Sequence, residues 1–274
     1  MSIGDEIDRR IAFINPFGTA AFDAIIEETL VPYAARGTSV DVIHLEGAPV
    51  NIDYYYPMHL MQLAIWDEVR RCEERGYDAV VVGCCDDPGV RVARELVDIP
   101  VVGPLEAAMN HASYFGHRFT VLTDHRKAVP WLEDIVRLHG AGNCRGVRCI
   151  DWYITDMIKD TTAVADDAAA LSMKWLEDDG SEVIILGCTI IAGCLEREIM
   201  TTGRHRDLPI LNPNLLALKA AETLADLHRM GKYTISRVGL YQRHEQHDPV
   251  EADEVRRRWY LADRGAGVGA EVDR

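Results

Sequence analysis

The sequence contains no long apolar run and no excess of basic residues. No stretch approaches the roughly 18 consecutive apolar residues that indicate a membrane-spanning helix. The 274 residues include 29 Lys and Arg against 44 Asp and Glu, and the formal net charge is −15. Nucleic-acid binding requires a basic surface, so we expect neither a membrane nor a nucleic acid as partner. The N-terminus, MSIGDEIDRR, lacks the apolar core of a signal peptide, which predicts a cytoplasmic protein.

Motifs that hold metals or cofactors are also missing from the sequence. The seven cysteines form no CxxC pair and no Cys/His spacing typical of zinc, and their odd number argues against a disulfide framework. The histidines at 59, 111, 117, 125 and 139 show no metal-ligand spacing, and we interpret each as a surface residue or as one lying behind the site. We therefore predict no metal and no cofactor.

Short apolar runs alternate with longer amphipathic runs along the chain. The predicted strands are Ile11–Asn15, Val40–Leu45, Ala79–Gly83, Pro100–Gly103, Phe119–Thr123, Val183–Gly187 and Pro209–Leu211, with a weaker one near Val147–Trp152. Predicted helices include Met58–Arg75, Val90–Val97, Ala163–Glu177 and Leu215–Met230. Nearly continuous apolar strands alternating with helices are typical of an α/β fold, in which helices cover both faces of mainly parallel sheets.

Two segments of the chain resemble each other. DAVVVGCCDDPGVRVARELV and SEVIILGCTIIAGCLEREIM each predict a strand, a Gly-Cys pair and a helix, and a short strand beginning at a proline follows each of them. This likeness predicts two similar lobes. The residues from 241 to 274 are polar and form a predicted C-terminal extension with a mobile Gly-rich end. Trp259 and Tyr260 are candidates to anchor part of this extension.

Cys84 and Cys188 each follow a predicted strand and precede a predicted helix. Ligands of open parallel sheets bind at the carboxyl ends of the strands, where both cysteines fall. The positive end of a helix dipole lowers the pKa of a cysteine towards that of a reactive thiolate. Asp86 or Asp87 could cap the first of these helices. Position alone leaves two interpretations open, namely two reactive thiols or two small buried apolar residues.

Five motifs occur in a fixed order between Ile11 and Leu227, namely FINPFGT, VVGCCDDPG, IPVVGPLEAAM, RFTVLTD and ILGCTIIAG. Together they resemble the aspartate/glutamate/hydantoin racemase superfamily, and most closely its hydantoin and allantoin racemase branch. The resemblance implies two similar α/β lobes, which we place at 1–105 with 212–240 and at 106–211, and an active site in the cleft between them. It also implies a homo-oligomer without a cofactor that acts on a small molecule.

The resemblance implies one catalytic cysteine from each lobe, Cys84 and Cys188. The implied reaction inverts a carbon next to a carbonyl group. A base on one face of that carbon removes a proton and an acid on the opposite face returns one, so one ionised and one neutral thiol suffice. We expect backbone N–H groups at the helix starts, helped by the hydroxyls of Thr123 and Thr189, to stabilise the charge on the carbonyl oxygen.

Other residues are assigned to substrate binding by the resemblance. Asn15 and Thr19 match polar positions of the loop after the first strand, whereas Phe17 replaces an asparagine and predicts a more apolar or aromatic pocket wall. Cys85 and Asp86 directly follow Cys84 and are further candidates for substrate binding. The side chain of Cys85 is expected to pack away from its neighbour, because adjacent strand residues point to opposite faces.

Two departures from the resemblance bear on the substrate. Asp124, which follows Thr123, is either a helix N-cap or a charged group facing the ligand, where it would disfavour a carboxylate and favour an N–H group or a cation. Ile190, after Thr189, replaces a polar histidine of the glutamate racemase branch and argues against an amino-acid substrate. The leading prediction is a racemase or epimerase of a cyclic ureide such as a 5-substituted hydantoin or allantoin. A cysteine-dependent cis–trans isomerase of the maleate isomerase type, a decarboxylase of the same superfamily and a non-catalytic small-molecule-binding protein stay open.

Overall fold

A computed structural model describes residues 9–231 and 233–259 of the chain. The strands are β1 (Arg9–Asn15), β2 (Thr38–His44), β3 (Ala79–Val82), β4 (Val101–Val102), β5 (Phe119–Thr123), β6 (Cys144–Cys149), β7 (Val183–Leu186) and β8 (Ile210–Leu211). The helices are α1 (Asp23–Leu30), α2 (Tyr55–Glu74), α3 (Val90–Leu96), α4 (Pro104–Ala112), α5 (Ala128–Leu138), α6 (Ile154–Met157), α7 (Thr161–Asp178), α8 (Thr189–Thr202), α9 (Pro213–Arg229) and α10 (Pro249–Trp259). The predicted alternation of strands and helices is confirmed.

The strands form two four-stranded sheets with the same internal order. The first sheet has the order β2-β1-β3-β4 and the second has the order β6-β5-β7-β8. All pairs in both sheets are parallel. The second sheet thus repeats the first, with each strand replaced by the one four positions later in the chain. The predicted α/β fold with two similar lobes is confirmed.

Burial distinguishes the inner strands β3 and β7 from the edge strand β6. Every residue of β3 and β7 is buried, because helices cover both faces of these inner strands. The weak strand predicted near 147–152 is present as β6, but it begins three residues earlier, at Cys144. β6 is an edge strand, where exposed charged residues are tolerated, and its sequence CRGVRC therefore has no apolar run to reveal its start.

The helix that follows the fourth strand of each sheet packs against the other sheet. α4 follows β4 and contacts β7, whereas α9 follows β8 and contacts β1 and β3. The lobes also meet where α1 packs against α8. We propose for the folded protein the same division as in the sequence, with 1–105 and 212–240 in one lobe and 106–211 in the other.

The segment between α9 and α10 lies against the first lobe. Arg237 donates hydrogen bonds to the carbonyl oxygens of Arg94 (2.8 Å) and Val97 (2.5 Å) at the C-terminal end of α3. The predicted anchors, the side chain of Trp259 and the residue Tyr260, lie outside the described residues, as does the Gly-rich end. Among the helices of the described residues, none has the length and apolar composition required to cross a membrane.

Candidate active site

A cavity lies between the two lobes, at the carboxyl ends of their inner strands. Phe17 follows β1, residues 84–86 follow β3, residues 124–125 follow β5 and residues 187–189 follow β7, and all of these line the cavity. The wall is completed by Ile52, Asp53, Ala128 and Ile154. Both lobes thus contribute the same edge of their sheets, which is where ligands of open parallel sheets bind.

Cys84 and Cys188 occupy equivalent positions in the two lobes. Each is the second residue after its strand, β3 or β7, and each follows a glycine. The N–H of Gly83 donates to a carbonyl of β1 (2.7 Å), and the N–H of Gly187 donates to a carbonyl of β5 (2.8 Å). These bonds hold β3 against β1 and β7 against β5 up to the residue before each cysteine. Both cysteines are thereby fixed at the edge of the cavity.

Glycine is required at both of these positions because the neighbouring strand leaves no room for a side chain. A Cβ atom at Gly83 would lie 2.2 Å from a ring carbon of Phe13 and 2.8 Å from the carbonyl oxygen of Ile14. A Cβ atom at Gly187 would lie 2.7 Å from Cγ1 of Val121. Carbon atoms in proteins do not approach so closely, so an added methyl group would push the cysteine-bearing turn away from the sheet.

We expect Gly83→Ala to lower the free energy of unfolding by roughly 1–3 kcal/mol, because the added methyl overpacks a closely packed core. Urea denaturation monitored by circular dichroism would measure the loss. Gly142→Ala is the matched control, since a Cβ atom there meets no atom within 4 Å. Equal stability of Gly83→Ala and Gly142→Ala would contradict the close approach of β3 to β1.

Cys188 is the N-cap residue of α8, whereas Cys84 is not at a helix terminus. The helix after Cys84, α3, begins only at Val90 and has Gly89 as its N-cap. Cys84 thus precedes a helix, as predicted, but it does not lie at the helix N-terminus, where the dipole argument had placed it. The intervening residues form a tight turn, in which Asp87 adopts a left-handed φ of 45°.

Neither Asp86 nor Asp87 caps α3, contrary to the expectation from sequence. The carboxylate of Asp87 instead accepts hydrogen bonds from the N–H groups of Leu105 (3.1 Å) and Glu106 (2.8 Å) in the first turn of α4. Aspartate is suited to this place, because it tolerates the left-handed conformation and satisfies N–H groups that an α-helix leaves unpaired at its start. Asp87 thus ties the cysteine-bearing turn to the helix that packs on the other sheet.

The pKa of both thiols is raised well above the usual cysteine value, contrary to the expectation from helix dipoles. Burial is the main cause for Cys84, the charge of Asp86 adds to it, and a hydrogen bond from the Asp86 N–H opposes it. Burial is also the main cause for Cys188, the charge of Asp124 adds to it, and two N–H groups in the first turn of α8 oppose it. The expectation fails because the loss of hydration outweighs these N–H groups.

The hydroxyl groups of Thr123 and Thr189 are used inside the protein. Thr189 lines the cavity, but its hydroxyl donates to the carbonyl oxygen of Gly83 (3.1 Å) and so links the two lobes. Thr123 is not among the wall residues, and its hydroxyl lies 3.0 Å from the carbonyl oxygen of Gly187 and 3.1 Å from Asp124. Both hydroxyl protons are therefore engaged within the protein, contrary to the expectation that these threonines donate to a ligand oxygen.

The remaining sequence candidates divide into two groups. Phe17, Cys85 and Asp86 lie in the cavity wall together with Cys84 and Cys188. Asn15, Thr19 and Ile190 are not among the wall residues. Thr19 caps a short 3-10 turn after β1, and Ile190 is buried in the hydrophobic core.

Asn15 is fully buried and its amide is held in one orientation. Its Nδ2 donates to Asp23 Oδ1 (2.8 Å), and the other carboxylate oxygen of Asp23 bonds Nδ1 of His44 (2.8 Å). Asn15 Oδ1 has no hydrogen-bond partner among the described residues. A buried acceptor without a partner is costly, but Asn15 is not among the wall residues of the cavity.

Sequence reasoning missed Asp53 and His125 as wall residues. His125 was expected at the surface or behind the site, but it is 4% exposed and lines the cavity. Its place directly after Asp124 at the carboxyl end of β5 is a signal that could have revealed it. Asp53 is 7% exposed and lies in an irregular loop between β2 and α2, where no sequence pattern marks it.

Asp124 lies in the cavity wall and does not cap a helix. The helix after it, α5, begins at Ala128 and has Lys127 as its N-cap. Of the two alternatives left open by the sequence, the structure thus places the Asp124 carboxyl group at the cavity. This carboxyl accepts hydrogen bonds at Oδ1 from the N–H of His125 (2.7 Å) and from its ring Nδ1 (2.9 Å).

Asp53, Asp124 and His125 form a charged cluster in the cavity wall. One ligand atom of each lies within 4.8 Å of the others, so the three together could hold a metal ion. Burial, with the charge of Asp124 added, raises the pKa of Asp53 to about 6 and that of Asp86 to about 7. Burial lowers the pKa of His125, but its hydrogen bond to Asp124 and the charges of Asp124 and Asp53 outweigh burial and raise it.

The fold and the cavity define a class of two-lobed α/β proteins in which each lobe places a cysteine, at an equivalent position, in a shared cleft. The family model described as Asp/Glu/Hydantoin racemase matches residues 11–221, and the chain belongs to this family. Membership in this family supports racemase activity on a small molecule.

Three known proteins illustrate this relationship. The chain is 31% identical to the hydantoin racemase of Pseudomonas sp. (strain NS671), over 89% of this chain and 95% of that protein. It is 32% identical to the hydantoin racemase of Rhizobium meliloti, over 84% of this chain and 93% of that protein. The solved structure of allantoin racemase from Pseudomonas fluorescens superposes with a TM-score of 0.75 at 27% identity, covering 85% of this chain and 96% of the other.

Proposed function

We propose that this chain is a cofactor-independent racemase or epimerase of a cyclic ureide, such as a 5-substituted hydantoin or allantoin. The observation that carries the proposal is the placement of Cys84 and Cys188, one from each lobe and at equivalent positions, in the wall of one cavity. The hydantoin racemases and the allantoin racemase to which the chain is similar support this substrate class.

In the proposed mechanism the two thiols act on opposite faces of the carbon next to the carbonyl. The thiolate of Cys84 removes the carbon-bound proton and becomes a thiol, while the electron pair of the broken C–H bond passes to the carbonyl oxygen. The thiol of Cys188 then donates its proton to the opposite face and becomes a thiolate. The product is inverted, the enzyme is left with the roles of the two cysteines exchanged, and the reverse direction starts from this state.

The backbone around each sulfur supports the charged states that this cycle requires. The backbone N–H of Asp86 lowers the pKa of the Cys84 thiol, and two N–H groups in the first turn of α8 lower that of the Cys188 thiol. These fixed donors stabilise a thiolate without reorientation of water. Burial raises the pKa of each thiol, so a thiolate formed in the cavity is a stronger base than an exposed one.

The charge of the cavity favours a cyclic ureide over a dicarboxylate. Asp53, Asp86 and Asp124 all lie in the wall, and a bound carboxylate would face their like charge at close range. This disfavours a maleate-type isomerase and a decarboxylase acting on a malonate. A ureide ring is neutral and offers N–H donors, which suit the carboxylate acceptors of the wall.

We expect racemisation to survive removal of metal ions. The change in optical rotation of one pure enantiomer of a 5-substituted hydantoin would be followed before and after incubation with EDTA and desalting. Because Asp53, Asp124 and His125 could hold an ion, this is a sharp test of the two-thiol mechanism. Loss of activity on chelation, with recovery on adding a divalent ion, would show that the ion is essential and would overturn the mechanism.

A further inference from the structure

The cavity wall has an acidic side that the inversion reaction does not use. Asp53 and Asp124 lie on this side. The charges of both raise the pKa of Asp86, and the charge of Asp86 raises the pKa of Cys84. Among the described residues of the wall, none is a lysine or arginine. His125 can offset at most one of these charges, because an imidazole carries at most one positive charge.

Two carboxylate groups on this side have capacity left for a ligand. Thr123 and His125 direct their hydrogen bonds to Oδ1 of Asp124, not to Oδ2. Asp53 is more than nine-tenths buried. Its Oδ2 has no hydrogen-bond partner among the described residues. A buried carboxylate oxygen without a partner is costly in the free protein, and this observation, independent of the clustering, points to a ligand that donates to it.

We propose that Asp53 and Asp124 bind a cationic group, an ammonium or a guanidinium, at the end of the substituent that the substrate ring carries on its reacting carbon. The inference rests on the proposed function, because it assigns the ring to the two cysteines and the substituent to the acidic side of the same cavity. Hydrogen bonds between charged partners are shorter and stronger than neutral ones, so such a substituent gains affinity that an alkyl chain cannot.

A bound cation at this place would also act on the thiols. The charge of Asp124 raises the pKa of Cys188, and the charge of Asp86 raises that of Cys84. A positive group bound to Asp124 offsets the charge that raises the pKa of Cys188 and so favours the Cys188 thiolate. The cationic substrate is therefore expected to have a higher kcat as well as a lower KM.

The test measures racemisation of three enantiopure hydantoins of similar length by the wild-type protein. They carry a 4-aminobutyl, a pentyl or a 4-carboxybutyl group at C5. We expect kcat/KM for the aminobutyl compound to exceed that for the pentyl compound by about tenfold or more, as a charged hydrogen bond contributes. The carboxybutyl compound is expected to be the poorest of the three.

Two variants then locate the contact. Asp124→Asn and Asp53→Asn are expected to reduce the aminobutyl-to-pentyl ratio towards one, and a fall in either variant alone assigns the contact to that carboxylate. Asp134→Asn is the control for net charge, because Asp134 is an exposed residue of α5 paired with Arg137, and it should leave the ratio unchanged. Having two variants keeps the test valid if one of them fails to fold.

The possible failures are distinguishable. If the pentyl compound is racemised and the aminobutyl compound shows no preference in the wild type, or if the ratio is unchanged in both Asp variants, the inference is overturned and the proposed function stands. If none of the three compounds loses its C5 proton in an enzyme-dependent manner, both the inference and the proposed function fail.

Discussion

Replacing either Cys84 or Cys188 by serine is expected to lower the rate of racemisation by about 10²–10⁴-fold, the usual contribution of a positioned acid or base. The hydroxyl of serine is far less acidic than a thiol and is a poor base near neutral pH. The rate of change in optical rotation would measure the loss. Cys149→Ser is the control, since Cys149 is half-buried at the end of β6 and is not among the wall residues.

The two cysteine variants should retain a partial reaction that distinguishes them. Each keeps one thiol, which can remove the proton of the enantiomer presented to it and return a solvent deuteron to the same face. Cys84→Ser and Cys188→Ser should therefore exchange the carbon-bound proton without inversion, each with the opposite enantiomer. A wild-type inversion rate in either variant would remove that cysteine from the mechanism. Loss of exchange for both enantiomers in one variant would indicate a single essential nucleophile.

The second large effect concerns stability. Asp87→Ala is expected to lower the free energy of unfolding by about 2–4 kcal/mol, because it leaves two N–H groups at the start of α4 without an acceptor. The affected groups are those of Leu105 and Glu106, which Asp87 holds at 3.1 and 2.8 Å. The loss would be measured by urea denaturation.

The matched control for Asp87 is an ordinary N-cap. Asp160 caps α7 with a single hydrogen bond at the surface, so Asp160→Ala should cost about 1 kcal/mol. Asp87→Asn keeps one carbonyl acceptor and tolerates the left-handed backbone, and it should fall between the other two variants. Equal losses in Asp87→Ala and Asp160→Ala would show that Asp87 does not tie the turn to α4.

The fold could be predicted from sequence because its strands are short, apolar and separated by amphipathic helices. The repeated order of strand, Gly-Cys and helix also predicted the two lobes and placed Cys84 and Cys188 at the same edge. β6 was predicted three residues late, since an edge strand that contains Arg145, Gly146 and Arg148 carries little apolar pattern. The local sequence shows regular patterns of burial, whereas the first residue of an edge strand is determined by pairing with its single neighbouring strand.

The cavity was harder to predict because its wall depends on contacts between distant segments. Asp87 was expected to cap the helix that follows it, but it reaches α4 instead. Asp53 comes from an irregular loop that carries no motif, and His125 shows no spacing that marks it as part of a site. The direction of the thiol pKa was also misjudged, because a sequence shows the helix dipole near a cysteine but not the depth of its burial.

Proton exchange in D₂O by the wild-type protein tests the central claim most directly. Each pure enantiomer of a 5-substituted hydantoin, and then of allantoin, would be followed by ¹H NMR together with optical rotation, against the same solution without protein. The two-thiol account predicts enzyme-dependent loss of the C5 proton signal from both enantiomers, with a deuteron in every inverted product molecule. If neither enantiomer of either compound lost its C5 proton faster than in the protein-free solution, the account would be contradicted.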